Sequence, residues 1–200
     1  MSAPKAGAII TVFPHIHPTA SVTPKSFLSF YTTNHIPDIT STPGFISAAV
    51  YESPKNPKPY LFVYHVTNPA VMESAELHAK FEKEDVVAMR GNARYEIRMY
   101  EPFKTEEVEG DGKVWEGLAL FEDYKGGEDV WKVLEEIEGG RTRQYRLLHT
   151  EERGEGADPN PTRPEWLLMH EFDWEDDALK EGASAYTLIA SFKNDALTER

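Results

Sequence analysis

Apolar runs and alternating patterns in the first half of the chain predict a β-α-β-β-α-β unit. The run GAIITVF, residues 7–13, is apolar and β-branched, which is typical of a buried strand. A helix is predicted next, with Thr23 as its cap and Pro24 in its first turn, and it is expected to end before Pro37. The strands FISAAVYES and YLFVYHVT, a helix over about residues 69–89 and the strand ARYEIRMYEPF complete the unit.

The same order of elements recurs in the second half. The strand signals are VWEGLALFED, RQYRLLHTEE, EWLLMHEF and SAYTLIASF, and the helical segments are GEDVWKVLEEIEGG and the shorter DDALKEGA. We therefore predict an α+β fold in which two ferredoxin-like units, residues 1–106 and 114–200, are fused through a linker at residues 107–113. The second unit has diverged from the first.

Composition limits the kinds of partner. The chain has 200 residues, of which 40% are hydrophobic, and this is enough for a sizeable core. Its 34 acidic and 21 basic residues give a net charge of −13, which repels phosphate groups over most of the surface. Nucleic acid and membranes are therefore not expected as partners.

The remaining sequence features point to an ordinary globular protein of the cytoplasm. The chain contains no cysteine, so disulfides, thiolate metal sites and a cysteine nucleophile are excluded. Its apolar runs are too short to span a bilayer, and its first residues lack the pattern of a signal peptide. It also lacks a glycine-rich phosphate loop, a serine nucleophile motif and a dinucleotide fingerprint.

One segment carries a resemblance to a known family. FYTTNHIPDITSTPGFISAAVYE followed by PYLFVYHV resembles the dimeric α+β barrel superfamily, in particular its EthD-like and antibiotic-biosynthesis-monooxygenase-like members. The resemblance implies two four-stranded sheets that face each other and form a barrel, here within a single chain. The superfamily includes cofactor-independent monooxygenases, polyketide cyclases, decarboxylases, dehydratases and haem enzymes, so the fold alone does not select the reaction.

His35 is the leading candidate for a catalytic base. It is predicted near the C-terminal end of the first helix, where the helix dipole would favour the protonated ring. Phe27, Tyr31 and Asn34 share the neighbouring helix face and are candidates to contact a substrate. A structural histidine that caps the turn is the alternative, but the His-Ile-Pro context in the family favours a position that faces the cavity.

Strand alternation predicts the opposite wall of this cavity. If Tyr51 lies opposite Tyr60 across the hairpin, its side chain shares one face with Phe62 and Tyr64. The matching positions of the second half are Tyr145 and His149 on one strand and Trp166 and His170 on the next. Tyr51, Tyr64, His149 and His170 are then candidate acids, bases or hydrogen-bond donors, and Phe62, Tyr145 and Trp166 are candidate substrate contacts. Ordinary core aromatics would give the same pattern.

These residues predict a cofactor-independent enzyme that moves protons on a polyketide-like or aromatic, enolisable molecule, with cyclisation, dehydration or decarboxylation as the result. A cofactorless monooxygenase and a non-catalytic small-molecule-binding protein are the alternatives. No metal or other cofactor is expected, since His15 and His17 are a weak metal signal and no histidine carries a distinguishing haem signal. The expected partner is a small apolar or aromatic substrate, and the expected assembly is a monomer or weak homodimer.

Overall fold

The strands of the chain close into a barrel. A computed structural model describes residues 7–106, 117–122, 141–159, 161, 165–172 and 184–194. In these residues eight antiparallel strands form a ring in the order β1-β3-β2-β8-β5-β7-β6-β4. Their bounds are β1 Ala8–Ile16, β2 Phe45–Glu52, β3 Tyr60–Val66, β4 Ala93–Glu106, β5 Gly117–Glu122, β6 Arg141–Arg153, β7 Trp166–Phe172 and β8 Ser184–Lys193.

The α+β class and the barrel predicted from the sequence are confirmed. The strands of the two halves follow the same order in the ring, which is β4-β1-β3-β2 in the first half and β8-β5-β7-β6 in the second. In each half the first strand lies between the fourth strand and the third. The predicted linker and both predicted helices of the second half lie outside the described residues. The division into two fused ferredoxin-like units therefore stays a prediction.

The first helical segment is longer than the sequence predicted. Thr23 caps α1, Pro24–Phe30, and accepts a hydrogen bond from the backbone N–H of Ser26 at 3.1 Å, as expected for a helix start. A π-helical turn, Tyr31–His35, follows, and α2, Ile36–Thr40, continues beyond it. The prediction that Pro37 ends the helix is wrong. Because a π turn is wider than an α turn, the proline ring avoids the carbonyl four residues earlier.

The second helical region of the first half is divided into short pieces. A 3₁₀ turn, Pro69–Glu73, is followed by α3, Ala75–Phe81, and α4, Glu84–Arg90, where a single helix over about 69–89 was predicted. Asn68 and Ser74 each accept a backbone hydrogen bond from a residue that follows them, so each begins a new helical turn. No helix in the described part of the chain is long and apolar enough to cross a membrane.

Two separate cores lie on the two faces of the first four strands. The barrel interior is filled from all eight strands, with Ile9, Leu61, Tyr145 and Tyr186 among its buried residues. The outer face packs against the helices through a second cluster, which comprises Ile10, Phe27, Tyr31, Phe45, Phe62, Tyr64, Tyr95 and others. Since neighbouring residues of a strand point to opposite faces, the register of each strand decides which core a side chain joins.

Candidate functional site

A pocket opens between the helices and the outer face of β1, β3 and β4. It encloses about 630 Å³ of space free of atoms, open solvent at its mouth included. The wall is aliphatic and aromatic except for a few polar groups. It is formed by Ile10, Val12, Tyr31, His35, Ile39, Phe45, Phe62, Tyr64, Met72, Phe81, Arg90, Tyr95, Ile97 and Arg153.

His35 reaches this pocket from the π-helical turn, where it is only 5% exposed. Its ring is surrounded by three other rings, with centroids 5.2 Å away for Tyr31, 5.7 Å for Phe81 and 6.3 Å for Phe30. The buried Nδ1 atom has no hydrogen-bond partner among the described residues. A buried imidazole nitrogen without a partner among these residues is a group whose hydrogen bond a ligand could supply.

The charge of His35 differs from the sequence-based expectation. Burial lowers its pKa to about 4, and nearby Asp38 opposes this effect only in part. The ring is therefore neutral at pH 7. The expectation that a helix dipole favours the protonated form is wrong, because His35 lies in the middle of the helical segment 24–40 and its desolvation dominates.

A pair of phenols faces the same pocket. The hydroxyl oxygens of Tyr31 and Tyr95 lie 2.6 Å apart and share one hydrogen bond. Burial raises the pKa of Tyr95 to about 12 and raises the pKa values of Tyr31 and Tyr64 well above the ordinary range. All three are protonated at pH 7. Only one of the two hydroxyl protons is used in the hydrogen bond between Tyr31 and Tyr95. The hydroxyl that accepts this bond can therefore donate its own proton to a ligand.

Several residues selected from the sequence meet at this pocket. Tyr31, His35, Phe62 and Tyr64 line it. Phe27 lies behind the wall, with its ring centroid 4.6 Å from that of Tyr31. Asn34 is exposed and does not line the pocket, so its predicted contact with the substrate is not supported by its position.

Tyr51 does not share the wall with Tyr64. It pairs with Leu61, and Tyr60 pairs with Glu52, one residue away from the predicted register. The loop between β2 and β3, closed by a hydrogen bond from Ser53 N–H to the Pro59 carbonyl at 2.7 Å, sets this register. Since a slip of one residue reverses the face, Tyr51 lies in the barrel interior.

The predicted wall of the second half is divided in the same way. Tyr145 pairs with Leu167 and lies in the barrel interior, whereas Trp166 and His170 occupy the opposite face. Between Leu147 and His149 the register shifts, so His149 pairs with Met99 and is exposed on the outer face. The four residues therefore do not form one wall.

His170 lies on the outer face of β7, as Tyr64 does on β3. Burial lowers the pKa of His170, and its Nδ1 atom lies 2.8 Å from the Thr142 hydroxyl oxygen. The helices predicted to cover this face fall outside the described residues. That His170 is the duplicated counterpart of Tyr64, as the matching positions of the two halves suggested, stays a prediction.

Tyr95 and Arg90 were not selected from the sequence. Tyr95 alternates with Ile97 and Met99 along β4, and this apolar row signals a face that packs against helices. Arg90 is the last residue of α4, and nothing in its local sequence separates it from a solvated helix end. Only the tertiary packing places both residues at the pocket.

The described residues offer little for metal binding. No three histidine or carboxylate side chains among them are arranged to hold a metal ion. Within the pocket wall, as far as the structure describes it, one imidazole and no carboxylate are present. The polar groups that converge here are suited to proton transfer and to hydrogen bonding of an oxyanion.

Comparison with known proteins places the fold. No protein-family model matches the chain, and no curated protein matches its sequence. An anthrone oxidase-like protein superposes with a TM-score of 0.58 at 11% identity, covering 96% of both chains. Monooxygenase-like proteins from Lactobacillus acidophilus and Fusobacterium nucleatum superpose with TM-scores of 0.50, at 9% and 8% identity, over 94% of this chain and 97% and 95% of theirs.

These neighbours share the α+β barrel fold, so the fold that the sequence-based resemblance implied is confirmed. At such identities the likeness shows the fold alone. The narrower EthD-like resemblance and the tandem duplication stay predictions.

Proposed function

We propose that the chain is an enzyme that binds an aromatic, enolisable molecule in the apolar pocket and removes a proton from its acidic carbon. His35 accepts this proton, and the phenols of Tyr31 and Tyr95 bind the enolate oxygen. The observation that carries the proposal is the convergence of a neutral imidazole with a free Nδ1 and a hydrogen-bonded phenol pair on one apolar pocket. No cofactor is needed for this step.

The low pKa of free His35 is compatible with this role. When a carbon acid loses its proton to the ring, an imidazolium and an enolate lie side by side in a poorly solvated pocket. Attraction between opposite charges is strong in such surroundings and raises the pKa of the ring while the ion pair exists. The proton is therefore transferred within the complex and is not taken up from water beforehand.

The phenol pair stabilises the charge that develops on the substrate oxygen. Donors that are already oriented in a dry site need little reorganisation when charge forms, and one such donor is worth about 3 kcal/mol in characterised oxyanion holes. Tyr31 is held between Phe27, Phe62 and its partner Tyr95, so its hydroxyl is fixed before the substrate binds.

The enolate has more than one possible fate. Cyclisation, dehydration and decarboxylation need no further reagent. The anthrone oxidase-like neighbour favours oxygenation as a second candidate, in which the enolate of an activated methylene reduces O₂. The methylene then becomes a carbonyl, one oxygen atom enters the product and the other leaves as water, so no external reductant is required.

Anthrone, an aromatic ketone with an acidic methylene, is the test substrate. In D₂O at pH 7 under argon, the chain should exchange the methylene protons for deuterium faster than buffer alone, as followed by NMR. The heat-denatured chain is the control. A rate equal to the buffer rate would contradict the proposal. On admission of ¹⁸O₂, formation of a quinone with one labelled oxygen would support the second candidate, and exchange without quinone would exclude it.

We also propose that the barrel arises from two fused ferredoxin-like units and that the chain is a monomer. The repeated strand order in the two halves supports the fusion. A barrel that one chain closes has no free sheet edge to pair with a second copy, and a net charge of −13 repels copies from each other. Sedimentation velocity should give 22.7 kDa over a wide concentration range. A dimer that persists on dilution would contradict this proposal.

A further inference from the structure

We propose that Arg90 binds an anionic group of the substrate, so that the natural substrate is an aromatic acid whose carboxylate meets Arg90 while its rings enter the pocket. This inference rests on the proposed function, because it names the substrate class of the same site. It starts from the position of Arg90 at the end of α4, in the wall of the pocket.

Arg90 has no carboxylate partner among the residues that the structure describes. None of the described acidic side chains forms an ion pair with it, whereas other basic residues are paired. Arg153, which also lines the pocket, lies 2.6 Å from Glu151, and Lys83 lies 2.6 Å from Asp38. In a chain with 34 acidic and 21 basic residues, an arginine left unpaired beside an apolar pocket is a candidate for ligand binding.

The side chain of Arg90 is oriented by its contact with Phe81. Its guanidinium carbon lies 5.6 Å from the centre of the Phe81 ring, and the same ring is 5.7 Å from His35. Phe81 therefore contacts both the proposed base and the proposed anchor. An aromatic acid that packs on Phe81 reaches both, with its carboxylate at the guanidinium.

The geometry of the guanidinium is suited to a carboxylate. Its planar set of N–H donors matches the two oxygens of a carboxylate, and such pairs form two parallel hydrogen bonds. The positive charge of Arg90 is also felt at Tyr31, Tyr95 and His35. It would therefore stabilise an enolate formed in the pocket as well as the carboxylate at its mouth.

A role limited to the helix end is the alternative. A cation at the C-terminus of a helix interacts favourably with the exposed carbonyls, and Arg90 holds that position in α4. Loss of such a contact lowers the melting temperature but does not change the preference between a charged and a neutral ligand. The two roles therefore give different results in a binding experiment.

The experiment compares 1-hydroxy-2-naphthoate with its carboxamide, which has nearly the same shape and no charge. Fluorescence titration of the full chain should show the acid binding about 10-fold more tightly than the amide at low salt, a typical value for a partly exposed charged hydrogen bond. Added NaCl should reduce the affinity of the acid and leave that of the amide unchanged. In an Arg90→Gln variant the preference should vanish.

Arg94→Gln is the matched control, since Arg94 adjoins Tyr95 in sequence but points to the other face of β4 and is 3.8 Å from Glu152. It should keep the preference for the acid. Equal preference in the native chain and Arg90→Gln, loss of preference in Arg94→Gln, or binding of neither probe would each overturn the inference. If the native chain exchanges the methylene protons of anthrone but binds the acid and the amide equally, the proposed function stands and the role of Arg90 fails. If the chain prefers the acid but does not exchange the protons of anthrone, the role of Arg90 stands and the proposed function fails.

Discussion

A variant in which Gln replaces His35 should exchange the methylene protons of anthrone about 10² to 10⁴-fold more slowly than the native chain, the range typical of a positioned acid-base group. Gln is close to His in size and stays neutral, so the pocket keeps its shape but loses the nitrogen that accepts the proton. Stability at pH 7 should change by about 1 kcal/mol or less, because little apolar volume is removed. NMR exchange rates and urea denaturation measure the two quantities separately.

Asn34→Ala is the control for this experiment. Asn34 is next to His35 in sequence but exposed, so the variant should exchange anthrone at the native rate. If His35→Gln kept the native rate while its stability dropped, the residue would be structural and the base would have to be sought elsewhere. If both variants lost activity, a change in the helical segment would be the cause, and the assignment of His35 would fail.

The same variant gives a second readout through the pH dependence of stability. The folded-state pKa of His35 is about 4, below the value near 6.5 of an unfolded chain. Between these values the unfolded state binds a proton that the folded state excludes, so the free energy of unfolding falls as the pH falls from 6.5 to 4. Over this pH interval, the titration of His35 lowers the free energy of unfolding by about 3 kcal/mol.

His35→Gln removes this contribution, while all other titrating groups remain in both proteins. Its free energy of unfolding should therefore decrease less than that of the native chain over the same pH interval. Urea titrations of both proteins at pH 7, 5.5 and 4 test the difference. Parallel curves would mean that His35 titrates near its ordinary pKa and is not buried as the structure places it.

Local signals in the sequence were sufficient for the strands and for the start of the first helix. The cap at Thr23, the apolar run of β1 and the alternation in β3 depend on neighbours along the chain, and each appears where it was predicted. His35 and Tyr64 could be selected for the same reason. Their motif lies in one continuous segment, and both line the pocket.

The errors concern features that local sequence does not determine. The face of Tyr51 depends on the register of the β2–β3 hairpin, which its Pro-rich loop sets, and the face of His149 depends on a bulge. Continuation of the helix past Pro37 depends on the wider π turn that precedes it. At the hairpin and at the bulge, a shift of one residue that periodicity does not reveal changed the face to which a side chain points.

The charged interior of the barrel shows a further limit of local reasoning. In ARYEIRMY the residues Glu96 and Arg98 alternate with an apolar row, a pattern typical of a strand with one face in water. The strands β5 to β8, distant in sequence, cover that face, so both side chains are buried. An ion pair thus lies where a simple alternation rule expects solvent.

Replacing Arg98 with Met should therefore destabilise the chain by about 3 to 5 kcal/mol, the usual effect of removing one partner of a buried pair. Arg98 is 2% exposed, donates from Nε to Glu96 at 2.6 Å and from Nη1 to the Tyr100 hydroxyl at 3.3 Å, and packs 5.0 Å from the Phe13 ring. Met fills much of the same volume but leaves the carboxylate of Glu96 in the core. Lys58, 3.3 Å from that carboxylate and 25% exposed, compensates only in part.

The double variant Glu96→Leu with Arg98→Met distinguishes this cause from a simple loss of packing. With the charge of Glu96 also removed, at least half of the lost stability should return, because apolar residues in place of a buried ion pair are often tolerated. Arg94→Met, on the same face of the same strand but 36% exposed at its ion pair with Glu152, should cost less than about 1 kcal/mol. Guanidinium chloride denaturation of the three variants measures these differences. If Arg98→Met cost no more than Arg94→Met, or if the double variant were less stable than the single one, the charge of Glu96 would not be the source of the effect, and the interior of the barrel would have to be wetter than its packing indicates.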